Sequence, residues 1–441
     1  MRIPPDELAV DATGAAEPQA VVDLAKQVVG DGATDVLVLA HGWNETGAAA
    51  TALYTRLADG VADRIARRDV GDRVFAALGV VWPSLRWADA GGGRSRSGGG
   101  ASLGDDVLQL HQAIGQSVDD AAAGAELRAL AARLDTPGGR SEFVGILRRR
   151  LPDAIDVADD DALPGPLAHG DVEELFAAVA EASGTAELLG GGPGGPGGAT
   201  APPGLFPDLL GPEGSPGGRG TAFGLGFPDL SPLVVARHLI NLTSYYTMKD
   251  RAGKVGAGAV ARLVEELHAL GPGVRVHLAG HSFGARVVAA AATAAGVPVH
   301  SLTLLQGAFS HVGFAPAAAG RPVGAFRRAL TDGVHGPVVV THTHHDRAVT
   351  LAYAVASRVA RQVADALGGP DDPYGGIGAN GAVRTPEAAF EDLADRDAGY
   401  AFAPGRVHNL RADDFVSNHL DIRGPEVANA LLQAMLTPPP P

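Results

Sequence analysis

Short continuous runs of apolar residues recur along the chain, and each is followed by a turn or by a helical pattern. Such runs are typical of strands that are buried on both faces of a parallel sheet. They predict strands over Asp35–Ala40, Val74–Trp82, Ser301–Leu305, Val338–Thr341 and Arg406–Leu410. An alternating apolar run that begins at Val274 predicts one more strand, which leads directly into an Ala-rich helical pattern.

Helical patterns separate these strands along the chain. They cover Pro18–Val29, Glu45–Arg68, Pro232–Leu270 with a break near Gly253–Gly258, Arg286–Ala295, Arg347–Leu367 and Pro425–Met435. Strands that alternate with helices predict an α/β fold, here a doubly wound and mostly parallel sheet of about six strands. Leu8–Asp11 is a candidate for an additional short strand, and no clear antiparallel hairpin precedes Asp35.

Residues 88–230 interrupt this alternation. They begin with a Gly/Ser/Arg tract and end with a segment dense in Gly and Pro, residues 190–220, which has the composition of a flexible linker. Four helical patterns lie between these two segments, over Val107–Ala122, Ala125–Leu134, Ser141–Leu151 and Val172–Ala182. We expect 88–230 to form a helical cap inserted into a domain made of 1–87 and 231–436, with 437–441 as a disordered tail. The alternative is a spacer with no role in substrate handling.

Composition excludes several classes of function. The 441 residues carry a formal charge of −15, which disfavours nucleic acid and anionic membrane surfaces as partners. The absence of cysteine excludes disulfides, thiolate catalysis and Cys-ligated zinc. The N-terminal residues lack an apolar signal core, and the apolar stretch Val287–Val299 is too short to span a bilayer, so we expect no transmembrane segment and a cytoplasmic location.

The most informative motif is Gly280-His281-Ser282-Phe283-Gly284, which stands between the strand beginning at Val274 and its helix. A serine on so tight a turn from strand to helix is exposed above the sheet. The positions two residues before and two residues after it must be glycine, because a side chain would collide there. The same spacing occurs around Ser102, but no strand precedes it, so we interpret that match as chance.

A serine hydroxyl becomes an effective nucleophile when a base accepts its proton and an acid orients the base. Ser301 through Leu330 contains no Asp or Glu, whereas Asp346 stands where the chain leaves the following strand. His419 lies in the loop between the last strand and the last helix. His41-Gly42-Trp43 follows the strand Asp35–Ala40 and offers backbone N–H groups for an oxyanion.

Ser282, Asp346, His419 and the His-Gly loop, in this order on these elements, resemble the α/β-hydrolase superfamily of serine esterases and lipases. The resemblance covers about residues 35–87 and 231–436. It implies that Ser282 is the nucleophile, His419 the general base and Asp346 the residue that orients it. It further implies an oxyanion hole formed by the amides of Trp43 and Phe283, supported by three glycines of the elbow and the loop: Gly280, Gly284 and Gly42.

Three alternatives concern individual residues of this set. Asp346 could be a helix N-cap, and His408 could replace His419 as the base, although its place inside the last strand favours packing. His342 and His344 alternate on one strand and could bind a metal with Asp346. Of these three residues, a serine hydrolase needs only Asp346, so we predict no metal site.

The resemblance implies hydrolysis of a carboxylic ester or a related acyl bond through an acyl-enzyme on Ser282, with no cofactor. The expected partner is a small-molecule or lipid-like acyl substrate, and no oligomeric state is predicted. The alternatives are acyl transfer or peptide and amide hydrolysis on the same residues, and a catalytically inactive binding protein with this fold. Trp43, Trp82 and Trp87, at the carboxyl ends of strands, could line an acyl pocket or pack in the core.

Overall fold

The computed structural model describes residues 5–43, 45–84, 103–118, 120–151, 165–180, 231–318, 321–346, 349 and 375–438. Its strands are β1 (Asp6–Ala9), β2 (Asp35–Ala40), β3 (Phe75–Val81), β4 (Arg275–His281), β5 (Ser301–Leu305), β6 (Val338–His342), β7 (Ala388–Asp392) and β8 (Val407–Arg411). Its helices are α1 (Pro18–Gly30), α2 (Gly47–Ile65), α3 (Leu103–Ser117), α4 (Ala121–Leu130), α5 (Pro137–Arg148), α6 (Gly165–Ala168), α7 (172–180), α8 (Pro232–Val255), α9 (Ala261–Leu270), α10 (Phe283–Ala294), α11 (Ile377–Asn380) and α12 (Pro425–Leu436).

The described strands form one sheet in the order β1-β3-β2-β4-β5-β6-β8-β7, and every pairing between neighbours is parallel. Alternate residues of a strand face opposite sides of the sheet. In β2, helices cover the residues on both sides. Val36 and Val38 belong to the apolar cluster that contains α1, α8, α9 and α10, whereas Leu37 and Leu39 pack with α2 and α12. The predicted α/β fold with a doubly wound, mostly parallel sheet is therefore confirmed.

The sheet has eight described strands where the sequence predicts about six, and the two extra strands are its edges. β1 buries only Leu8 well, and β7 ends in the exposed residues Phe390, Glu391 and Asp392. An edge strand does not need a continuous apolar run, because one of its sides faces solvent. The candidate strand Leu8–Asp11 is real, but it begins two residues earlier than predicted.

The predicted break in the long helix lies between α8 and α9, where Gly256–Val260 forms one π-helical turn. The predicted helix Arg347–Leu367 falls outside the described residues, apart from Val349, which is helical. In the part of the chain that the structure describes, no helix is both long enough and apolar enough to cross a membrane.

The four helical patterns predicted within 88–230 correspond to α3, α4, α5 and α7. Helix α3 packs against α8, and α4 packs against α3 and α5. Apolar residues of these helices, such as Ile114 and Phe143, are buried in the same cluster as the sheet. The Gly/Ser/Arg tract, the linker 190–220 and most of the tail 437–441 lie outside the described residues.

Candidate active site

Ser282 occupies the turn between β4 and α10, at the carboxyl edge of the central strands. Its backbone has φ 57° and ψ −123°, a conformation that an L-residue adopts only under strain of about 1–3 kcal/mol. The turn is fixed by its neighbours, since Ser282 N–H donates to Leu305 O at 3.1 Å and Ser282 O accepts from Ala308 N–H at 3.0 Å. This is the geometry of the nucleophile elbow that the motif predicts.

Both glycines of the elbow are required by contacts between backbones. A Cβ on Gly280 would overlap Gly284 O, and a Cβ on Gly284 would overlap Ala40 O at the end of β2. Neither obstacle is a side chain that could move aside. Glycine therefore stands where β4 closely approaches α10, at Gly280, and where α10 closely approaches the end of β2, at Gly284.

Asp346 and His419, which are 73 residues apart in sequence, are brought into direct contact. His419 Nδ1–H donates to Asp346 Oδ2 at 2.8 Å, and both side chains are buried. The other carboxylate oxygen accepts from Val349 N–H at 2.9 Å. Asp346 thus also accepts a hydrogen bond of the N-cap type, so the capping interpretation and the orienting one are compatible. The bond fixes the proton on Nδ1 and leaves a lone pair on Nε2.

Ser282 Oγ and His419 Nε2 do not form a hydrogen bond with each other. Both atoms are buried, and among the described residues neither has a hydrogen-bond partner. Unsatisfied buried polar atoms are rare in folded proteins and concentrate at functional sites. Hydrogen bonds between a nucleophile and its base are often loose in the absence of substrate. The structure therefore brings Asp346 to His419 but leaves the contact from His419 to Ser282 unmade.

The loop after β2 is held rigidly beside Ser282. His41 N–H donates to Tyr54 Oη at 2.9 Å, and His41 Nδ1–H donates to Gly42 O at 2.8 Å. Trp82 donates its backbone N–H to His41 Nε2 at 3.3 Å and its indole N–H to His41 O at 3.1 Å, with the two rings stacked. Burial lowers the pKa of His41 to about 4, so the ring is neutral near pH 7.

Gly42 lies directly against the serine. A Cβ at this position would be 2.8 Å from Ser282 Cβ and 3.3 Å from Ser282 Oγ. The next residue, Trp43, packs edge-on against Phe283 with 5.9 Å between ring centroids, and both side chains are buried. Phe283 N–H is the first amide of α10, where a helix leaves amides without an internal acceptor. The two segments predicted to supply an oxyanion hole are therefore neighbours at Ser282.

Trp43 and Trp82 are both buried, with 5% and 2% of their surfaces exposed, so they pack in the core. Trp87 lies outside the described residues. The sequence did not indicate Tyr54 or Trp82 as supports of the loop at His41. Their partners are 13 and 41 residues away from them in sequence, and only the folded sheet brings them together.

The competing histidines are engaged elsewhere. His408 Nδ1 binds Glu391 at 3.0 Å and its Nε2 accepts from Ala403 N–H at 3.1 Å, which agrees with the expected packing role. His344 Nδ1 pairs with Asp413 at 3.0 Å. Within the described ranges, no group of three His, Asp or Glu residues is placed to hold a metal ion.

A second Ser-His-Asp array lies at the opposite, amino-terminal end of the sheet. His277 Nε2 is 3.0 Å from Asp35 Oδ1, and His277 Nδ1 is 2.8 Å from Ser301 Oγ. All three side chains are completely buried, and Asp35 is further paired with Arg73 and Arg275. The sequence does not indicate this array, because the array depends on the register of β4 between β2 and β5.

A family model described as "Alpha/beta hydrolase" matches residues 236–308. The matched segment contains most of α8, together with β4, Ser282, α10 and β5. Asp346 and His419 lie outside it. No curated protein and no solved structure matches the chain.

Proposed function

We propose that the chain, which is similar to α/β hydrolases over residues 236–308, is a serine hydrolase of the carboxylesterase or lipase type. It would cleave a carboxylic ester or a related acyl bond through an acyl-enzyme intermediate on Ser282. The main support is the strained, buried Ser282 together with a histidine, His419, whose Nδ1 is held by Asp346; among the described residues, Ser282 Oγ and His419 Nε2 are both buried without a hydrogen-bond partner.

In the proposed reaction, His419 Nε2 accepts the Ser282 proton while Oγ forms a bond to the acyl carbon. The tetrahedral intermediate collapses when the bond from the acyl carbon to the leaving oxygen breaks, and His419 returns the proton to that oxygen. Water then attacks the acyl-enzyme in the same way, which releases the acid and restores Ser282. Asp346 stabilises the imidazolium that forms in each step.

The oxyanion hole of this proposal consists of the N–H groups of Phe283 and Trp43. Such donors act on the charge that develops in the transition state, and losing one typically lowers kcat by about 10²–10³-fold. The support is the close approach of the two segments, shown by the edge-on contact between Trp43 and Phe283 and by the position of Gly42 against Ser282.

We further propose that residues 88–230 form a cap that contributes to the substrate site. Helix α3 packs against α8, and Tyr245 of α8 contacts Phe283 at 5.4 Å between ring centroids. Phe283 is the residue that follows the nucleophile. A change in the packing of α3 on α8 can therefore reach the elbow through a single side chain.

Substitution of Gly42 by alanine is expected to lower kcat by about 10²-fold, because the new Cβ would displace the loop or Ser282 by a fraction of an ångström. Gly273→Ala is the matched control, since a Cβ there has nothing within 4 Å. Steady-state kinetics and thermal unfolding of both variants provide the comparison. Equal kcat for Gly42→Ala and the wild type would contradict the placement of this loop at the site.

A series of p-nitrophenyl esters, from acetate to laurate, tests the proposed function. We expect turnover of at least one ester, with a burst of p-nitrophenol that matches the enzyme concentration if deacylation is slow. Ser282→Ala should abolish it, and Ser301→Ala, which alters the buried array at the other end of the sheet, should retain it. Turnover by Ser282→Ala at the wild-type rate would refute the proposal.

A further inference from the structure

His281, the last residue of β4, is joined to the backbone of the predicted general base. Its Nε2 lies 2.8 Å from the carbonyl oxygen of His419, and the two imidazole rings are 4.8 Å apart between centroids at an angle of 41°. Both side chains are buried. No motif assigns this contact, because the second residue of the elbow pentapeptide is not restricted by the turn itself.

The contact determines which tautomer of His281 is present. A carbonyl oxygen can only accept a hydrogen bond, so Nε2 carries the proton and donates it. Burial, with a further contribution from His419, lowers the pKa of His281 to about 3. The ring is therefore neutral near pH 7 and can lie against His419 without repelling the imidazolium that the proposed reaction forms there.

The loop that carries His419 makes few other hydrogen bonds to the rest of the protein, although Ile422 at its end packs in the core. Among the described residues, the backbone and side-chain hydrogen bonds of 417–422 join members of the loop to one another, such as Ser417 to Asp421 and Leu420 to Asn418. Two of the hydrogen bonds leave the loop, namely the side-chain bond from His419 to Asp346 and the bond from His281 to the His419 carbonyl. The first orients the ring, and the second fixes the backbone from which the ring projects.

We propose that His281 is a positioning residue, which holds the backbone of His419 so that its Nε2 reaches Ser282 Oγ during the reaction. Because Ser282 follows His281 directly, a single peptide link connects the nucleophile to the residue that holds its base. A displacement of about 1 Å at a reacting pair can cost about 10²-fold in rate. This inference rests on the proposed function of Ser282 and His419.

Three variants of His281 test the proposal. In His281→Gln, the amide nitrogen of the side chain can reach the position of Nε2 and donate to the His419 carbonyl. In His281→Asn, the side chain is too short for its amide to do so. His281→Phe keeps a ring at this position but has no hydrogen-bond donor. We expect Gln to retain kcat within about 5-fold, and Asn and Phe to lose about 10–100-fold with KM nearly unchanged.

The rate constant for phosphonylation of Ser282 by a fluorophosphonate gives a second measurement, since it reports activation of the serine without substrate turnover. This rate constant should fall in parallel with kcat in His281→Asn and His281→Phe and should stay near the wild-type value in His281→Gln. Thermal unfolding shows whether each variant is folded. If Phe does not fold, the comparison of Gln with Asn still decides. Equal rates in Gln and Asn, or wild-type rates in folded Phe, would overturn the positioning role. Absence of labelling in the wild type would instead overturn the proposed function.

Discussion

Replacing His419 by alanine is expected to lower kcat by about 10³-fold or more, with a small effect on KM. The imidazole would accept the serine proton and return it to the leaving group, so both halves of the reaction lose their proton carrier. Asp346 would keep its carboxylate in a buried position without the Nδ1–H donor at 2.8 Å. Steady-state kinetics on an ester that the wild type hydrolyses is the measurement.

His408→Ala is the matched control for this prediction. His408 is also buried, lies on β8 eleven residues before His419 in sequence, and has both of its ring nitrogens bonded to other groups. Its removal should reduce the free energy of unfolding by about 1–3 kcal/mol and leave kcat nearly unchanged. Equal losses of kcat in the two variants, with both proteins folded, would exclude His419 as the specific base.

Acid is expected to begin to unfold this protein at a pH above the usual pKa of carboxylates. Burial lowers the pKa of His41, His277 and His342 to about 4 and that of His281 to about 3, whereas a histidine in an unfolded chain has a pKa of about 6.5. Below about pH 6.5 the unfolded state therefore binds protons that the folded state does not bind. Stability falls as pH is lowered through this range, by about 1.4 kcal/mol per pH unit for each fully affected group.

The four histidines together lower the free energy of unfolding by several kcal/mol per pH unit, whereas the total stability of a protein is typically about 5–15 kcal/mol. We expect a cooperative loss of structure between about pH 6 and pH 4. Asp35 does not contribute to this transition. Burial opposes its ionisation, but its bonds to Arg275, His277 and Arg73 outweigh burial and lower its pKa well below the usual range, so its contribution is lost only below about pH 4.

Equilibrium unfolding in urea at a series of pH values from 8 to 5 measures this effect. His342→Phe supplies the control, because it removes one buried histidine whose ring already packs against Phe390. The slope of the unfolding free energy against pH should decrease by about 1.4 kcal/mol per pH unit in that variant. A wild-type stability that is constant from pH 7 to pH 5 would contradict the assignment of these rings as neutral and buried.

The central strands could be predicted from the sequence because they are buried on both faces. The predicted bounds of Asp35–Ala40 and Ser301–Leu305 are those of the structure, because each run is followed directly by a polar residue and a glycine, His41-Gly42 and Gln306-Gly307. The edge strand β7 carries no such signal, and β1 overlaps only in part with the candidate strand Leu8–Asp11. Their strand conformation depends on pairing with β3 and β8, which the local sequence does not encode.

The candidate site was predictable to the extent that it follows from the ends of strands. Asp346 and His419 were selected by their positions after β6 and β8, and the structure joins them by a hydrogen bond. Their roles in a reaction stay predictions. The supports of the site were not predictable, because the pairs His281–His419 and His41–Trp82 join residues with no fixed spacing in sequence.

If Ser282 is an activated nucleophile, it should react covalently with a fluorophosphonate, and peptide mass spectrometry of the treated protein shows which serine carries the adduct. The wild type, Ser282→Ala, Ser301→Ala and Ser102→Ala would be treated in the folded state. We expect an adduct on the peptide that contains Ser282, its loss only in Ser282→Ala, and no adduct at Ser301 or Ser102. An unlabelled folded wild type, or undiminished labelling in Ser282→Ala, would contradict this role of Ser282.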